Sequence, residues 1–268
     1  MTPSEPTADA DALQRRLALA EALAKTAGRK ARGFFLRRDL LNPELKSSSQ
    51  DLVSEADRTV EAWLRRAIRR RFPDDGIVGE EEAATEGTSG HVWVIDPIDG
   101  TMPFLVGQPN WTISIGIARG GKPVAGVVYA PMLRELYAAI EGGGARLNGH
   151  PLKMNPDWTL ASTSVGFGAT QRAAPDEVGA FVAALYREGG VLFRVGSGAL
   201  MLAYVAAGRI GGYYDPLLYC WDCWAGIVLI REAGGQATFD GDLATPGPIW
   251  AGNARVHADL KRLSGAAP

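Results

Sequence analysis

The stretch HVWVIDPIDGTMPFLVGQPNWTISIGIAR, residues His91 to Arg119, decides the fold. It opens on an apolar run that predicts a buried strand, and the strand stops abruptly at DPIDGT. Because Pro97 forces a bend, Asp96 and Asp99 can turn toward one point, and Gly100 permits close approach of a ligand. Carboxylate oxygens suit Mg²⁺. The spacing alone leaves two interpretations open, a hard-cation site and an Asx-rich turn that closes a hairpin.

The composition is that of an ordinary globular protein. A chain of 268 residues, 46% of them hydrophobic, buries a large core. A net charge of −2 and a pI near 6.0 give no general attraction to nucleic acid or to an anionic membrane, so we expect neither as a partner. No apolar run approaches the ~18 residues of a membrane span, and the first residues lack the features of a signal peptide. With only two cysteines, a disulfide framework is excluded, and we expect a cytoplasmic protein.

Residues 11–155 are predicted to form two helices that cover an antiparallel sheet. Residues 1–10 are polar and acidic, and we expect them to be a disordered tail. Asp11 to Phe35 repeats alanine and leucine at helical spacing, and a second amphipathic helix ends before Pro73. Beyond the central stretch, β-branched runs separated by turns such as Gly120-Gly121 predict a meander of hairpins.

After Pro156 the pattern changes to alternating strands and helices, which is typical of an α/β unit. We therefore place a boundary near Asn155, with residues 156–268 forming a C-terminal subdomain that completes the site. Its predicted strands lie near Ser162 to Val165, Val191 to Val195, Gly211 to Tyr214, Gln236 to Phe239 and Ile249 to Gly252. Its predicted helices are Pro175 to Arg187, Ser197 to Ala207, Asp222 to Glu232 and Ala254 to Leu263.

The second helix carries charged residues with two interpretations each. Ser54-Glu55-Ala56-Asp57 has the spacing of a capping box, so Asp57 is either a cap or a positioned carboxylate. A run of arginines from Arg65 to Arg71 resembles a nucleic-acid patch, but it interleaves with the apolar stripe, and a solvated face is favoured. A short strand, Gly76 to Gly79, then delivers three glutamates, Glu80 to Glu82, and such neighbours are usually solvated.

Three segments together resemble the signatures of the inositol monophosphatase family. They are Val78-Gly79-Glu80-Glu81, the block Trp93 to Thr101 with Phe104, and Trp221-Asp222 with Ala225-Gly226. The run from Lys46 to Asp57 is similar to the family's N-terminal segment. The resemblance implies an α-β-α-β-α layered sandwich with an N-terminal antiparallel sheet and a C-terminal mixed sheet. It also implies a Mg²⁺-dependent, lithium-sensitive phosphomonoesterase, commonly a homodimer.

The resemblance further implies the ligands of two Mg²⁺ ions. Glu80, Asp96 and the carbonyl of Ile98 would hold the first ion. Asp96, Asp99 and Asp222 would hold the second, and a third, weaker ion would face Glu80. On this basis the carboxylates belong to a metal centre rather than to solvated turns.

Phosphate and substrate contacts follow from the same resemblance. Gly100 and Thr101 would present backbone N–H groups to the phosphate, and Thr101 with Asp57 would orient the nucleophilic water. Asp215 occupies the position of a family acidic residue that contacts the polyol. Gly196-Ser197-Gly198 opens a helix, where it is either a ligand-binding segment or a simple N-cap. The predicted substrate-binding residues are Asp215, Gly196, Ser197, Gly198 and Arg194.

The departures from the family pattern include two near the predicted pocket. Met102-Pro103 replaces a frequent Thr-Asn pair, and Phe193 replaces a frequent arginine, with Arg194 one place later. The predicted reaction is hydrolysis of a small phosphorylated metabolite, with inositol phosphate or a similar polyol phosphate ranked first. Alternatives within the family are phosphatases of histidinol phosphate, fructose 1,6-bisphosphate or 3′-phosphoadenosine 5′-phosphate. An alternative of another class is a regulatory protein that keeps the fold and acts through a partner such as transcription machinery.

Overall fold

The computed structural model describes residues 8–41, 44–45, 52–53, 55–169 and 173–266. Residues 1–7 of the predicted tail, residues 46–51 of the family-like N-terminal segment and the expected Ser54 cap lie outside these ranges. Residues 8–10 belong to a helix, which therefore begins inside the predicted tail.

Within the described ranges the chain forms seven α-helices and fourteen strands. The helices are α1 (Ala8–Phe35), α2 (Glu55–Arg71), α3 (Thr101–Leu105), α4 (Pro175–Arg187), α5 (Gly198–Ala206), α6 (Cys220–Glu232) and α7 (Ala254–Leu263). The first nine strands are β1 (Glu44–Leu45), β2 (Leu52–Val53), β3 (Gly76–Gly79), β4 (His91–Asp99), β5 (Thr112–Arg119), β6 (Lys122–Ala130), β7 (Glu135–Ile140), β8 (Gly144–Leu147) and β9 (His150–Pro151). The remaining strands are β10 (Ser164–Phe167), β11 (Val191–Phe193), β12 (Gly212–Leu218), β13 (Gln236–Phe239) and β14 (Gly247–Gly252).

The first large sheet follows chain order from β3 to β9. Its strands from β4 onward pair antiparallel, as the hairpin signals predicted. Strand β3 is the exception to the predicted antiparallel sheet, because it pairs parallel with β4. No tight-turn signal separates these two strands, and residues 80–90 return the chain to the start of β4. Consequently β3 and β4 end at the same edge of the sheet.

The second large sheet has the order β11-β10-β12-β14-β13. Strand β10 is parallel to both of its neighbours, whereas β12, β14 and β13 pair antiparallel. The expected mixed sheet is therefore confirmed. Helices α4 and α7 pack against each other on its outer face.

Helices α5 and α6 form the layer between the two sheets. They pack against each other and against strands of both sheets, while α1 and α2 cover the outer face of the first sheet. The result is the predicted α-β-α-β-α sandwich. The core around α5 and α6 joins Val94 and Val128 of the first sheet with Ile249 of the second. The boundary near Asn155 stays a prediction, since this core draws on both sides of it.

Glycines allow α6 to lie unusually close to the first sheet. A Cβ atom at Gly126 would stand 2.5 Å from the carbonyl oxygen of Ala225, and one at Gly116 would stand 3.3 Å from Trp224 Cβ. The backbone of α6 therefore contacts the sheet directly, and its first turn is fixed beside the end of β4. No helix in the described ranges is long and apolar enough to cross a membrane.

Candidate active site

Three carboxylates from two distant parts of the chain meet at the edge where β4 ends. Asp96 and Asp99 lie among the last four residues of this strand, and Asp222 lies in the first turn of α6. One oxygen from each carboxylate lies within 4.8 Å of the others. Among the described residues this is the only cluster of three or more acidic, histidine or cysteine side chains arranged to hold a metal ion.

The electrostatics of this cluster favour a cation. Burial is the largest cause that raises the pKa of Asp96 well above its usual range, and the remaining cause is repulsion by nearby carboxylates. Burial also raises the pKa of Asp222, with repulsion from Asp99 and Glu80 adding to it. Buried carboxylates without a counter-charge are costly, and oxygen donors of this kind fit Mg²⁺. The carboxylates that repel Asp96 are, in decreasing order, those of Glu80, Asp99, Asp222 and Asp57.

Helix α5 and strand β5 hold the carboxylate of Asp99 from one side. Its Oδ2 accepts hydrogen bonds from Ser197 Oγ at 2.5 Å, the backbone N–H of Ala199 at 2.8 Å and Thr112 Oγ1 at 3.2 Å. Its Oδ1 accepts from the N–H of Gly198 at 3.1 Å. Burial raises the pKa of Asp99 to about 6, although these hydrogen bonds oppose that rise. Asp99 is thus kept in one orientation by donors that also favour its ionised form.

The predicted ligand Glu80 reaches the same edge through strand register. Gly79 pairs with Ile95 in the parallel β3–β4 ladder, so Glu80, which directly follows β3, comes next to Asp96. Glu80 is half-buried and close enough to raise the pKa of both Asp96 and Asp222. Ile98 turns its N–H inward, where it donates to Asp96 Oδ1 at 2.9 Å.

Asp57 and Thr101 lie together beside the cluster. Asp57 is fully buried in the first turn of α2. The hydroxyl of Thr101 lies 3.4 Å from Asp57 Oδ1 and 3.3 Å from the carbonyl oxygen of Ile98, within donating distance of both. Gly100 has a φ of 93°, in the left-handed region, and a Cβ there would stand 3.0 Å from the carbonyl oxygen of Asn110. Glycine is therefore required at the point where α3 begins.

Helix α3 was not predicted from the sequence. Met102 and Pro103 follow Thr101 in its first turn, where proline is tolerated because the N–H groups there have no partner within the helix. A Cβ at Gly196 would stand 2.9 Å from Pro103 Cγ, so the proline packs closely on the segment before α5. The Met102-Pro103 departure therefore changes the wall beside Gly196 and leaves the turn at Gly100 in place.

A single cleft joins the metal cluster to the predicted substrate residues. Asp99 and Asp222 line one side of it, and the rings of Phe167 and Tyr219 line other parts. The predicted substrate-binding residues that line it are Arg194, Gly196, Ser197, Gly198 and Asp215. Their contact with a substrate stays a prediction.

Two of these residues already have partners inside the protein. Asp215 is buried, and its Oδ2 accepts from the hydroxyl of Tyr213 at 2.9 Å while Oδ1 accepts from the N–H of Leu217 at 3.0 Å. Arg194 donates to the carbonyl oxygen of Ala169 at 3.1 Å. The Asp215 carboxylate is thus fixed in orientation, and the Arg194 guanidinium is tied to Ala169, which also lines the cleft.

Sequence reasoning missed the aromatic wall beside Asp222. The rings of Tyr219 and Trp221 stack at a centroid distance of 4.6 Å with 4° between their planes. The N–H of Tyr219 also donates to Asp222 Oδ2 at 3.0 Å. The signature Trp221-Asp222 was the available signal, but its pairing with Tyr219 depends on the bend that starts α6.

The interpretation of Arg65 as part of a solvated face was wrong. Its side chain is only 1% exposed, and its Nε donates to Glu61 Oε1 at 2.8 Å. The signal was present in the sequence, because Asp57, Glu61 and Arg65 recur at intervals of four and so share one face of α2. Glu61 was not singled out from the sequence.

The two cysteines are structural. Cys220 and Cys223 are free, buried thiols in the first turns of α6, with contacts to the carbonyl oxygens of Leu243 and Tyr219. Burial, aided by the charge of Asp222, raises the pKa of Cys220 to about 12. A thiol with so high a pKa is a poor nucleophile and a poor metal ligand at neutral pH.

Comparison with known proteins decides the family. The sequence model of the inositol monophosphatase family matches residues 12–262. The chain belongs to the inositol monophosphatase family. An inositol-1-monophosphatase of Rhizobium meliloti (strain 1021) is 39% identical over 220 residues, which cover 80% of this chain and 82% of the relative.

Two further relatives match most of the chain. The Nus factor SuhB of Escherichia coli (strain K12) is 39% identical over 246 residues, covering 87% of this chain and 91% of that protein. The solved structure of an IMPase from Thermotoga maritima superposes with a TM-score of 0.83 at 30% identity, covering 94% of this chain and 97% of the other. Family members thus include proteins named as phosphatases and proteins named as Nus factors.

Proposed function

We propose that this protein is a Mg²⁺-dependent phosphatase that hydrolyses a small phosphate monoester, with inositol monophosphate or a similar polyol phosphate as its substrate. One observation carries the proposal. The buried, mutually repelling carboxylates of Asp96, Asp99 and Asp222 form one cluster, and Asp99 and Asp222 line the same cleft as Asp215. A cation is needed to stabilise the three clustered carboxylates, and a hydroxylated substrate suits Asp215.

The metal ligands follow the family pattern in this proposal. Glu80, Asp96 and the Ile98 carbonyl would hold one Mg²⁺, and Asp96, Asp99 and Asp222 would hold another. When bound, Mg²⁺ supplies positive charge to the phosphoryl oxygens and lowers the pKa of coordinated water. The backbone N–H groups of Gly100 and Thr101 bind the phosphate at the start of α3.

Thr101 and Asp57 prepare the nucleophilic water. Because the Thr101 hydroxyl donates to Asp57, its oxygen presents a lone pair that accepts a hydrogen bond from water. Asp57 is buried beside this hydroxyl, so its carboxylate accepts the Thr101 proton while Thr101 accepts a proton from the water. As the water oxygen bonds to phosphorus, the bond from phosphorus to the leaving alkoxide breaks, and the alkoxide takes a proton from solvent. The water is therefore oriented by two side chains that the fold holds in contact.

Asp215 favours a polyol over a second phosphate. A fixed carboxylate accepts hydrogen bonds from vicinal hydroxyls, whereas a bisphosphate needs a cation for its distal phosphate. Arg194 is the only cationic side chain lining the described part of the cleft, and it is bonded to Ala169. The lithium sensitivity and the homodimer implied by the family resemblance belong to the same proposal, and so does the cytoplasmic location expected from the cysteine content.

A substrate panel tests the proposal. We expect inositol 1-phosphate to give a higher kcat/KM than histidinol phosphate, fructose 1,6-bisphosphate or 3′-phosphoadenosine 5′-phosphate, and chelation with EDTA to abolish every activity. Asp215→Ala should lower kcat/KM for inositol 1-phosphate, because a substrate hydroxyl loses its acceptor. The corresponding loss of transition-state binding free energy should be about 1–3 kcal/mol. A histidinol phosphate value tenfold above that for inositol 1-phosphate would overturn the ranking. Unchanged ratios in Asp215→Ala would remove Asp215 from substrate recognition.

A regulatory role is the second candidate, since the 39% identical relative from Escherichia coli is named a Nus factor. If this chain acts through a binding partner, its cellular function should not depend on its metal ligands. Complementation of a deletion strain with the Asp96→Asn variant separates the two functions. Full complementation by a variant without phosphatase activity would favour the regulatory role, whereas failure would favour catalysis.

A further inference from the structure

Helix α2 carries a stripe of buried charged side chains that runs along one face. Asp57, Glu61 and Arg65 are separated by four residues each, and their exposed fractions are 0, 0 and 1%. Charged groups at this depth are tolerated only when hydrogen bonds satisfy them. Asp57 belongs to the candidate catalytic pair, so the question is what the other two residues bind.

Glu61 binds the backbone immediately after Glu80. Its Oε2 accepts from the N–H of Glu81 at 2.9 Å, and its Oε1 accepts from the N–H of Glu82 at 3.0 Å. The N–H of Glu81 belongs to the peptide that joins Glu80 to the rest of the loop. One carboxylate therefore fixes the peptide plane next to the candidate metal ligand.

Arg65 donates hydrogen bonds to backbone carbonyl groups of the same loop. Its Nη2 donates to the carbonyl oxygen of Glu82 at 2.7 Å, and its Nη1 donates to that of Ala83 at 3.1 Å. Its Nε completes the pair by donating to Glu61. Together the two side chains satisfy two donors and two acceptors in residues 81–83.

Gly79 makes the approach of Glu61 to the strand end possible. A Cβ at this position would stand 2.5 Å from Glu61 Oε1 and 2.8 Å from its carboxyl carbon. The carboxylate of Glu61 therefore contacts the chain on both sides of Glu80, at Gly79 before it and at Glu81 and Glu82 after it.

We propose that Glu61 and Arg65 are positioning residues that hold Glu80 in the orientation in which it binds the metal ion. This inference rests on the proposed function in taking Glu80 as a metal ligand. A buried ion pair is a poor device for stability alone, since apolar residues of the same volume often serve as well. A role in orienting the loop explains why the pair is buried at this place.

The chain offers a matched control at the other end of β3. Arg16 donates to both oxygens of Asp75, at 2.8 and 2.7 Å, and both side chains are buried. Asp75 precedes Gly76, the first residue of the strand, whereas Glu80 follows its last. The Asp75→Asn variant therefore disrupts a comparable buried pair at the other end of the strand. Asp75 contacts the loop at Ser89, nine residues after Glu80, whereas Glu61 contacts Glu81 and Glu82 directly beside it.

The test is a Mn²⁺ titration of the metal-free, full-length protein, in which electron paramagnetic resonance measures free Mn²⁺. We expect Glu61→Gln to weaken Mn²⁺ binding about tenfold and Asp75→Asn less than about twofold, while thermal unfolding shows both variants less stable than wild type. Glu80→Gln should weaken binding at least as much as Glu61→Gln. Because Glu61 acts through Glu80, adding Glu61→Gln to Glu80→Gln should cause no further loss.

Several outcomes would overturn the inference. Equal Mn²⁺ affinities for Glu61→Gln and Asp75→Asn would show that Glu61 and Arg65 have a purely structural role. The same conclusion would follow if Glu61→Gln weakened Mn²⁺ binding by the same factor in the wild-type protein and in the Glu80→Gln variant. If Glu80→Gln leaves Mn²⁺ binding unchanged, the ligand assignment in the proposed function fails and the inference fails with it. If Glu61→Gln does not fold, Arg65→Lys provides the comparison, because lysine keeps the charge but cannot bind both carbonyls. Wild-type Mn²⁺ affinity in Arg65→Lys would then contradict the positioning role.

Discussion

The two carboxylate oxygens of Asp99 have different surroundings. Oδ2 accepts three hydrogen bonds, from Thr112, Ser197 and Ala199, whereas Oδ1 accepts one, from Gly198. A carboxylate oxygen has about two lone-pair sites, so Oδ1 is the oxygen with capacity for a cation. The same donors prevent the side chain from rotating, and a metal ion would meet it already oriented.

Ser197→Ala tests this orientation. Ser197 is buried, donates to Asp99 and caps α5 by accepting from the N–H of Leu200. The variant should lose about 1 kcal/mol of stability from the missing cap and raise the Mg²⁺ concentration for half-maximal activity several-fold.

Asn253→Ala is the control for the cap. Asn253 caps α7 by accepting from the N–H of Val256, and it does not line the cleft. It should destabilise the fold and leave the Mg²⁺ requirement unchanged. Equal Mg²⁺ requirements in the two variants would contradict the account of Asp99.

The raised pKa of Asp99 predicts how stability depends on pH. Its pKa is about 6 in the metal-free fold and 3.8 ordinarily, so the folded state holds the proton more tightly than the unfolded state. This contribution to stability is present in full below about 3.8 and is lost as the pH rises through about 6. Mg²⁺ binds the ionised form and reverses the loss.

The expected result is a gain in Tm with saturating Mg²⁺ that grows between about pH 5 and about pH 7. Thermal unfolding in Mg²⁺ and in EDTA across this range measures it. Asp99→Asn should flatten the dependence. An equal gain in Tm at both ends of the range in the wild-type protein would count against a cation site at Asp99.

At the scale of elements, the position of α6 on the first sheet determines where Asp222 lies. Gly126→Ala would bring a methyl group to 2.5 Å from the backbone of Ala225, which has no flexible end to move aside. We expect the variant to lose about 1–3 kcal/mol in urea unfolding and to bind Mg²⁺ more weakly, because α6 must shift.

Gly179→Ala provides a control of opposite sign. Gly179 lies in α4, where an added Cβ atom would have nothing within 4 Å, and alanine is the better helix former by about 1 kcal/mol. The variant should be neutral or more stable, with unchanged Mg²⁺ binding. A loss of stability in Gly126→Ala without any change in Mg²⁺ binding would show that α6 does not set the metal site.

Elements with local signals were predicted well. Helices α4 and α7 have the predicted bounds, since Pro175 begins one and the N-cap Asn253 precedes the other. Short α3 was missed because its single turn around Pro103 has no periodic pattern. The parallel pairing of β3 was missed because nothing local encodes the direction in which residues 80–90 return the chain.

The candidate site also contains a part that local sequence predicted and a part that it did not. The strand end and the turn predicted that Asp96 and Asp99 approach each other, and the structure places them in one cluster. Asp222 joins them through the packing of α6, which spacing does not encode, and the family resemblance alone placed it there. The burial of Arg65 was missed because a charged side chain is expected to lie in solvent. Its partners are Glu61 and backbone carbonyl groups of residues 82 and 83, which the sequence does not place beside it.

At the scale of the whole molecule, the site exists only where layers meet. Its residues come from α2 in the outer helical layer, β3 and β4 in the first sheet, and α6 between the sheets. The core around α5 and α6 includes residues from both sheets. Metal binding should therefore stabilise the packing of the layers as well as the site itself, since it favours only the folded state.

The central claim is that a carboxylate-bound metal ion drives phosphate hydrolysis, and Asp96→Asn tests it most directly. Asp96 contributes to both proposed ions, and asparagine keeps its shape but removes its charge. A loss of about 4 kcal/mol of transition-state stabilisation lowers the rate about a thousandfold. We predict such a fall in kcat for Mg²⁺-dependent hydrolysis of inositol 1-phosphate, in a variant whose metal-free Tm is at least that of wild type. Activity within about tenfold of wild type would contradict the account.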